Sequence, residues 1–236
     1  MTLSLLLYQT AECLGKFIIY VIPCAAVLLI LYFFCHIPKF VFRKFLHFIA
    51  FSCVTLMIAA AGSWMAASLA AVIVALAVYP VLSMLESRPW FAGLFVQKSK
   101  GEVKRSLLML FFMFALLNTV AWGVFGKAAV GAAAILMWGI GDAAAALVGI
   151  PFGRHKVISR FTDGKKSYEG TAAMFAAAFI SGVIVLGLYA GISPAKAALC
   201  ACAGAACGAI AELITSSEYD TVSVPLTILV ILLVLC

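Results

Sequence analysis

Charge is what this sequence has least of. Asp, Glu, Lys and Arg make up 11% of its 236 residues, 66% are hydrophobic, and mean hydropathy is +1.20. Soluble domains carry about 25% charged and about 45–50% apolar residues. A shortage this large excludes a water-soluble globular protein. Apolar runs of about 20 residues, each long enough to cross ~30 Å of hydrocarbon as a helix, recur along the chain and leave no stretch for a separate soluble domain. Aspartate is scarcer still, none preceding Asp142. The eight cysteines contain no C-x-x-C pair and lie scattered in apolar runs, so they read as small packing residues rather than a disulfide framework. His36, His47 and His155 lack ligand-like spacing, which argues against zinc. The Gly164-Lys165-Lys166-Ser167 stretch has neither the earlier glycine nor the preceding strand of a P-loop. The net charge of +7 is spread over separate loops, which argues against a nucleic-acid partner.

What is present predicts an all-α, polytopic integral membrane protein with seven to eight transmembrane helices, residues 1–236 forming one membrane domain. Residues 1–16 read as a short apolar start, kept in the mature chain because no small-residue cleavage site follows a basic front. Spans are expected at about 17–35, 45–61, 66–85, 106–125, 128–150, 170–190 and 195–214. A last run, 222–236, is short for a crossing. With an outside N-terminus and eight spans, loops 36–47, 86–105, 151–169 and 212–221 share one side and hold 13 of the 16 Lys and Arg residues. The positive-inside bias places that side in the cytoplasm. Eight of the nine acids, all except Glu12, fall on or near the same side. Acidic residues contribute little to orientation, so their gathering there points to a site.

The centre of that site is expected between Trp138 and Thr171. Asp142 stands in a run of small residues, with Gly141, Ala145, Ala146, Gly149 and Gly153 near it. An acid at membrane depth is costly without a role. Small residues admit another helix or a ligand's phosphates, and a carboxylate suits Mg²⁺, a hard ion. The plainer reading is tight helix packing with Asp142 bonded to a neighbour. Arg154, His155, Lys156, Arg160, Lys165 and Lys166 follow, and then Ser167-Tyr168-Glu169-Gly170-Thr171. Ser167 or Thr171 would cap a helix whose free N–H groups favour anions. Basic side chains beside such a terminus would cradle phosphate.

Arg43 and His47, four residues apart, share a helix face, and with Lys44 would hold phosphate oxygens or simply anchor the helix at the membrane surface. Glu102, Glu212 and Asp220 lie close to apolar segments and would complete a metal site with Asp142, or serve as caps or solvated charges. Gly187-x-x-x-Gly191 and Gly204-x-x-x-Gly208 read as helix contacts.

The ordered set of Arg43-Lys44-x-x-His47, Gly141-Asp142-x-x-Ala145-x-x-x-Gly149-x-x-x-Gly153, Lys165-Lys166-Ser167-x-Glu169-Gly170-Thr171, Glu212, and Asp220 ahead of Pro225 resembles the CTP-dependent lipid kinases: dolichol kinase, phytol kinase and the CTP-using diacylglycerol kinase. The likeness runs from Arg43 to Pro225. Two positions depart from it, Phe51 where relatives commonly have glycine and Thr221 where they have Asn. The resemblance implies a nucleotide and divalent-cation site at Asp142, Lys166, Ser167, Glu169, Gly170 and Thr171, assisted by Arg43, Lys44 and His47. Asp142 would hold Mg²⁺ with Glu212, Asp220 or Glu102. Lys165, Lys166 and Arg43 would hold phosphates, and His47 or a carboxylate would take the proton of a membrane lipid alcohol.

The leading expectation is therefore transfer of the γ-phosphate of CTP to a polyprenol, a phytol-like alcohol or diacylglycerol. CTP rather than ATP comes from the resemblance alone. A cytidylyltransferase making a CDP-lipid is the alternative, but such enzymes end in a charged stretch, and no lysine or aspartate follows Asp220 here. Gly139-Ile140-Gly141-Asp142 spells the GxGD of intramembrane aspartyl proteases, whose chemistry needs a second carboxylate. The partner aspartate would have to come earlier, and no aspartate precedes Asp142. A small transporter would show polar residues through its spans and internal duplication, neither of which is apparent. The identity of the lipid is not legible, because a lipid groove is built from the same Leu, Ala and Phe as helix packing, and oligomeric state is equally silent.

Overall fold

A computed structural model describes residues 2–85, 88, 102–157, 164, 166–216 and 219–236, with the side chains of residues 102 and 103 outside it. Among the described residues the secondary structure is helical and no strand is formed. The helices are α1 (Leu3–Cys35), α2 (Lys39–Ala59), α3 (Trp64–Leu85), α4 (Glu102–Asn118) running into a π-helical turn (Thr119–Val124), α5 (Ala128–Phe152), α6 (Tyr168–Tyr189), α7 (Pro194–Ile214) and α8 (Asp220–Leu235). Seven segments are long and apolar enough to cross a membrane, the fourth being Lys104–Val124. Helix α8, at 16 residues, rises about 24 Å at 1.5 Å per residue, short of the hydrocarbon thickness. The chain is an all-α, multi-pass membrane protein.

Two compact units divide the chain, Met1–Leu116 and Leu117–Cys236. In the first, α1 packs on α2 and α3. The start expected to lie ahead of the first span is part of it: α1 runs unbroken for 33 residues, about 50 Å at the helical rise. Its polar residues tie it down at the α2–α3 turn. Lys16 Nζ donates to the Ala60 carbonyl at 3.0 Å, Ser63 Oγ donates to Gln9 Oε1 at 2.8 Å, and Glu12 pairs with Lys16 at 2.6 Å. The Gln9 side chain also lies over Gly62, where a Cβ would stand 2.7 Å from its Nε2. Beyond Phe17 the helix shows large apolar side chains such as Ile18, Ile22, Val27 and Phe34 on its exposed surface, as a lipid-facing helix does.

In the second unit α6 packs on both α5 and α7, and α8 packs on α7 and α5. Small residues set these distances. A Cβ on Gly182 would stand 2.7 Å from Met137 Sδ and 3.0 Å from Ala201 Cβ, and one on Gly208 2.6 Å from Ile228 Cγ1. Interfaces of this kind allow close backbones where lipid offers no hydrophobic drive to associate. Ser193, ahead of Pro194, caps α7 by accepting from Lys196 N at 3.3 Å. At the other end of α7, Ile214 is followed by the short link to α8, so that Glu212 and Asp220 both lie near this corner of the unit.

Candidate phosphate and cation site

The two described ends of the connection between α5 and α6 are pinned to each other. Lys156 and Ser167 form an antiparallel bridge, flanked by hydrogen bonds from Val157 N to Lys166 O at 3.0 Å and from Tyr168 N to His155 O at 3.1 Å. Glu169 fastens the near side. Its carboxylate accepts from the backbone N–H of His155 at 3.2 Å and lies 2.7 Å from His155 Nδ1. Lys156 Nζ donates to the Gly149 carbonyl at the end of α5, at 3.4 Å.

Ser167 is the cap of α6. It is buried, has extended backbone, and its Oγ accepts from Gly170 N at 3.2 Å, while Thr171 Oγ1 donates back to Ser167 O at 3.2 Å. The glycines around it are required by proximity. A Cβ on Gly153 would collide with Gly149 O and Ser167 Oγ, one on Gly149 would lie 3.2 Å from Ser167 Oγ, and one on Gly170 2.9 Å from Ala145 O. Gly141 lies deeper in the same α5–α6 contact, where a Cβ would meet Met174 Cγ at 3.1 Å. The small-residue face of α5 thus lets the start of α6 come down upon it. The cap differs from the free helix terminus expected. The N–H groups of Tyr168 and Gly170 are already taken by His155 and Ser167, so any phosphate here would rely on side chains more than on the first turn of α6.

This seating fixes Lys166. Its side chain, 7% exposed, reaches across to the α7–α8 corner, where Nζ lies 3.1 Å from Glu212 Oε1 and 3.6 Å from Asp220 Oδ2 and donates to the backbone carbonyl of Glu212. Glu212 and Asp220 are themselves 13% and 24% exposed at the side chain. Burying an ammonium costs several kcal/mol unless oxygens replace its water, and the two carboxylates do so. The Glu212 carbonyl belongs to the last turn of α7, whose carbonyl groups lack partners within the helix. One cation is thereby held by oxygens from the end of one helix and the start of the next.

The residues predicted from the sequence are therefore placed unevenly. Lys166, Ser167, Glu169, Gly170 and Thr171 come together with Gly149 and Gly153 around the hairpin, and Lys166 brings Glu212 and Asp220 to it. Asp142 is half-buried on α5, seven residues before Gly149, and is not a free carboxylate. Among the described residues no three His, Cys, Asp or Glu side chains gather as a ready-made metal site. Arg43, Lys44 and His47 lie in the first turns of α2, in the first unit, helical as their four-residue spacing predicts, the helix beginning at Lys39 rather than near residue 45; Lys44 is buried and Arg43 and His47 are half-buried. Lys165, Arg160, Asp163 and Glu218 lie outside the described residues, as does the side chain of Glu102. The clamp of Glu169 on His155 was not foreseen. No sequence spacing signals it, since His155 and Glu169 stand 14 positions apart.

The fit of this donor set to a divalent ion can be judged on its chemistry. Mg²⁺ is commonly held by one or two carboxylates with the substrate's phosphates and water completing its octahedron. Glu212 and Asp220 supply two carboxylates, with the Lys166 ammonium against both. No protein-family model, curated protein or solved structure matches this chain.

Proposed function

We propose that this chain is a lipid kinase that transfers the γ-phosphate of CTP to the hydroxyl of a membrane lipid alcohol. The observation that supports it is the buried Lys166 ammonium between Glu212 and Asp220, at the foot of a basic hairpin and the end of three membrane helices. Phosphoryl transfer asks little covalent chemistry of a protein. It needs cations that neutralise the phosphates, an aligned acceptor and exclusion of water.

In this reading Lys156, Lys165 and Lys166 supply positive charge to the phosphates, while Glu212 and Asp220, and Asp142 as the family likeness implies, are the carboxylates that would hold a divalent ion. When bound, that ion would neutralise phosphate charge as it develops. The bridge of Lys156 to Ser167 and the Glu169 clamp pin the ends of the connection, so that Lys156 and Lys166 are positioned before the nucleotide arrives. The acceptor enters sideways from the bilayer. The basic loops are taken to be cytoplasmic, where nucleotide is available, and the charge bias of the loops supports that orientation. The roles that the family likeness implies for Arg43, Lys44 and His47, in the first unit, are tested by substitution.

Incubation of the purified protein with labelled CTP, Mg²⁺ and a panel of polyprenol, phytol and diacylglycerol decides between the kinase and a cytidylyltransferase. Label from the γ-position appearing in the lipid is the expected result. Cytidine monophosphate appearing in the lipid would overturn it. In the same assay Asp142→Asn is expected to lose about a hundredfold or more in rate, the scale of removing one well-placed electrostatic group.

A further inference from the structure

We propose that Cys200 on α7 and Cys236 at the end of α8 close to a disulfide on the side of the membrane away from the hairpin, stapling α8 to α7. The proposal is independent of the kinase reading and shares with it only the orientation taken from the charge of the loops.

Helices α7 and α8 run antiparallel along a contact made of small residues. A Cβ on Gly208 would stand 2.6 Å from Ile228 Cγ1, and one on Gly204 3.2 Å from Leu232 Cδ2. Each turn back along α7 is thus matched by one turn forward along α8, and residues four apart share a helix face. One turn further, Cys200 stands opposite Cys236. Cys236 N donates to Leu232 O at 2.9 Å, so the helical pattern carries as far as this residue. The two thiols are in hydrogen-bonding contact. Another turn along α7, Lys196 Nζ donates to the Cys236 carbonyl at 3.4 Å, which fixes the same register from the far side. A disulfide needs Cβ atoms about 3.5–4.5 Å apart, closer than helices packed through large side chains allow. Gly204 and Gly208 remove those side chains and bring the pair within reach. Cys202, also on α7, is exposed and lies on another side of the helix.

Cys200 is buried, whereas Cys236 is half-buried and lines an open cavity of about 290 Å³. That cavity lies between the α4–α5 turn, at Gly126 and Lys127, and the α6–α7 turn, at Ala190 and Ile192. The bias of Lys and Arg assigns both turns to the outside, where disulfides form and persist. The oxidant is a disulfide supplied from that side. Cys236 Sγ gives up its proton and attacks one sulfur of this disulfide, forming a mixed disulfide and releasing the other sulfur as a thiol. Cys200 Sγ then attacks Cys236 Sγ, the mixed bond breaks, and the second thiol leaves with the Cys200 proton. Two thiols become one disulfide, and the external disulfide becomes two thiols. The bond would lock the register of α8, whose other end carries Asp220.

The pair is read in cells making the full chain. Thiols are trapped with a membrane-permeant maleimide, and the purified protein is cleaved after Glu212 and Glu218 without reduction. These cuts separate Cys200 from Cys236 in the chain, so their peptides stay together in mass spectrometry only if bonded. The linked pair is expected in most chains and should vanish on reduction. It should survive Cys202→Ser and be lost in Cys200→Ser. Peptides of Cys200 and Cys236 found apart in the parent, or Cys236 bonded to another cysteine, would overturn the proposal. The parent, reduced and then exposed to oxidised glutathione in a neutral detergent, should form the same link again, whereas Cys200→Ser should keep glutathione on Cys236. Glutathione retained on Cys236 of the parent, without a link, would also overturn it, because the two sulfurs would then not meet. Neither measurement uses nucleotide or lipid. Loss of the proposed kinase activity would therefore leave the disulfide standing, and a reduced pair would leave the kinase reading standing.

Discussion

Gly153 has no room for one more carbon, because a Cβ there would run into Gly149 O and Ser167 Oγ and lie 2.8 Å from Ser167 Cβ. Backbone atoms cannot swing aside, so Gly153→Ala is expected to lower stability by about 1–3 kcal/mol, the range for overpacking. Ser167→Ala should cost about 1 kcal/mol through loss of the α6 cap. Combined, the two should destabilise by less than their sum, since removing Oγ removes part of the clash. Thermal unfolding in detergent of the parent, both single variants and the double variant measures this. Full additivity would show that Gly153 and Ser167 do not press on one another. At this scale the sequence spoke clearly about residue type and poorly about partner. The small size of Gly149, Gly153 and Gly170 was visible, but the same glycines serve helix contact or phosphate approach. Only their distances to Ser167 show what now fills the space.

Among the elements, the hairpin between α5 and α6 carries most of the site's order. Its near side depends on one carboxylate, Glu169, which accepts from His155 N and lies against His155 Nδ1. Glu169→Gln keeps the shape and removes the charge. Backbone amide exchange at His155 should become faster, while exchange in the middle of α6, around Ala178, stays unchanged. Equal protection at His155 in both proteins would show that the Lys156–Ser167 bridge holds the hairpin alone. The helices themselves were largely legible, because a long apolar run has few other ways to satisfy its backbone in lipid. Their ends were less so. Helix α1 begins at Leu3 because Gln9 and Lys16 find partners at the α2–α3 turn, 54 and 44 residues away in sequence. Arg43 and His47 are inside α2 because the chain turns already at residues 36–38.

For the whole molecule, the distribution of Lys and Arg assigns a side to each connection, and this too can be measured. A membrane-impermeant maleimide applied to intact expressing cells should label Ala195→Cys, exposed in the first turn of α7, above the background of the native cysteines. It should label Arg154→Cys only after the cells are opened. The reverse pattern would turn the orientation over and leave the proposed hairpin without access to cytoplasmic nucleotide. The sequence by itself determined that the chain is helical and spans a membrane many times, since hydropathy and length are sums over neighbours and need no long-range contact. It also determined that the acids and bases crowd toward one set of loops. What only the tertiary structure decided is who meets whom: that Lys166 reaches Glu212 and Asp220 across 46 and 54 positions, and that Glu169 holds His155. Pairing of charges depends on where helix ends are brought together, and periodicity within one helix carries no information about the end of another.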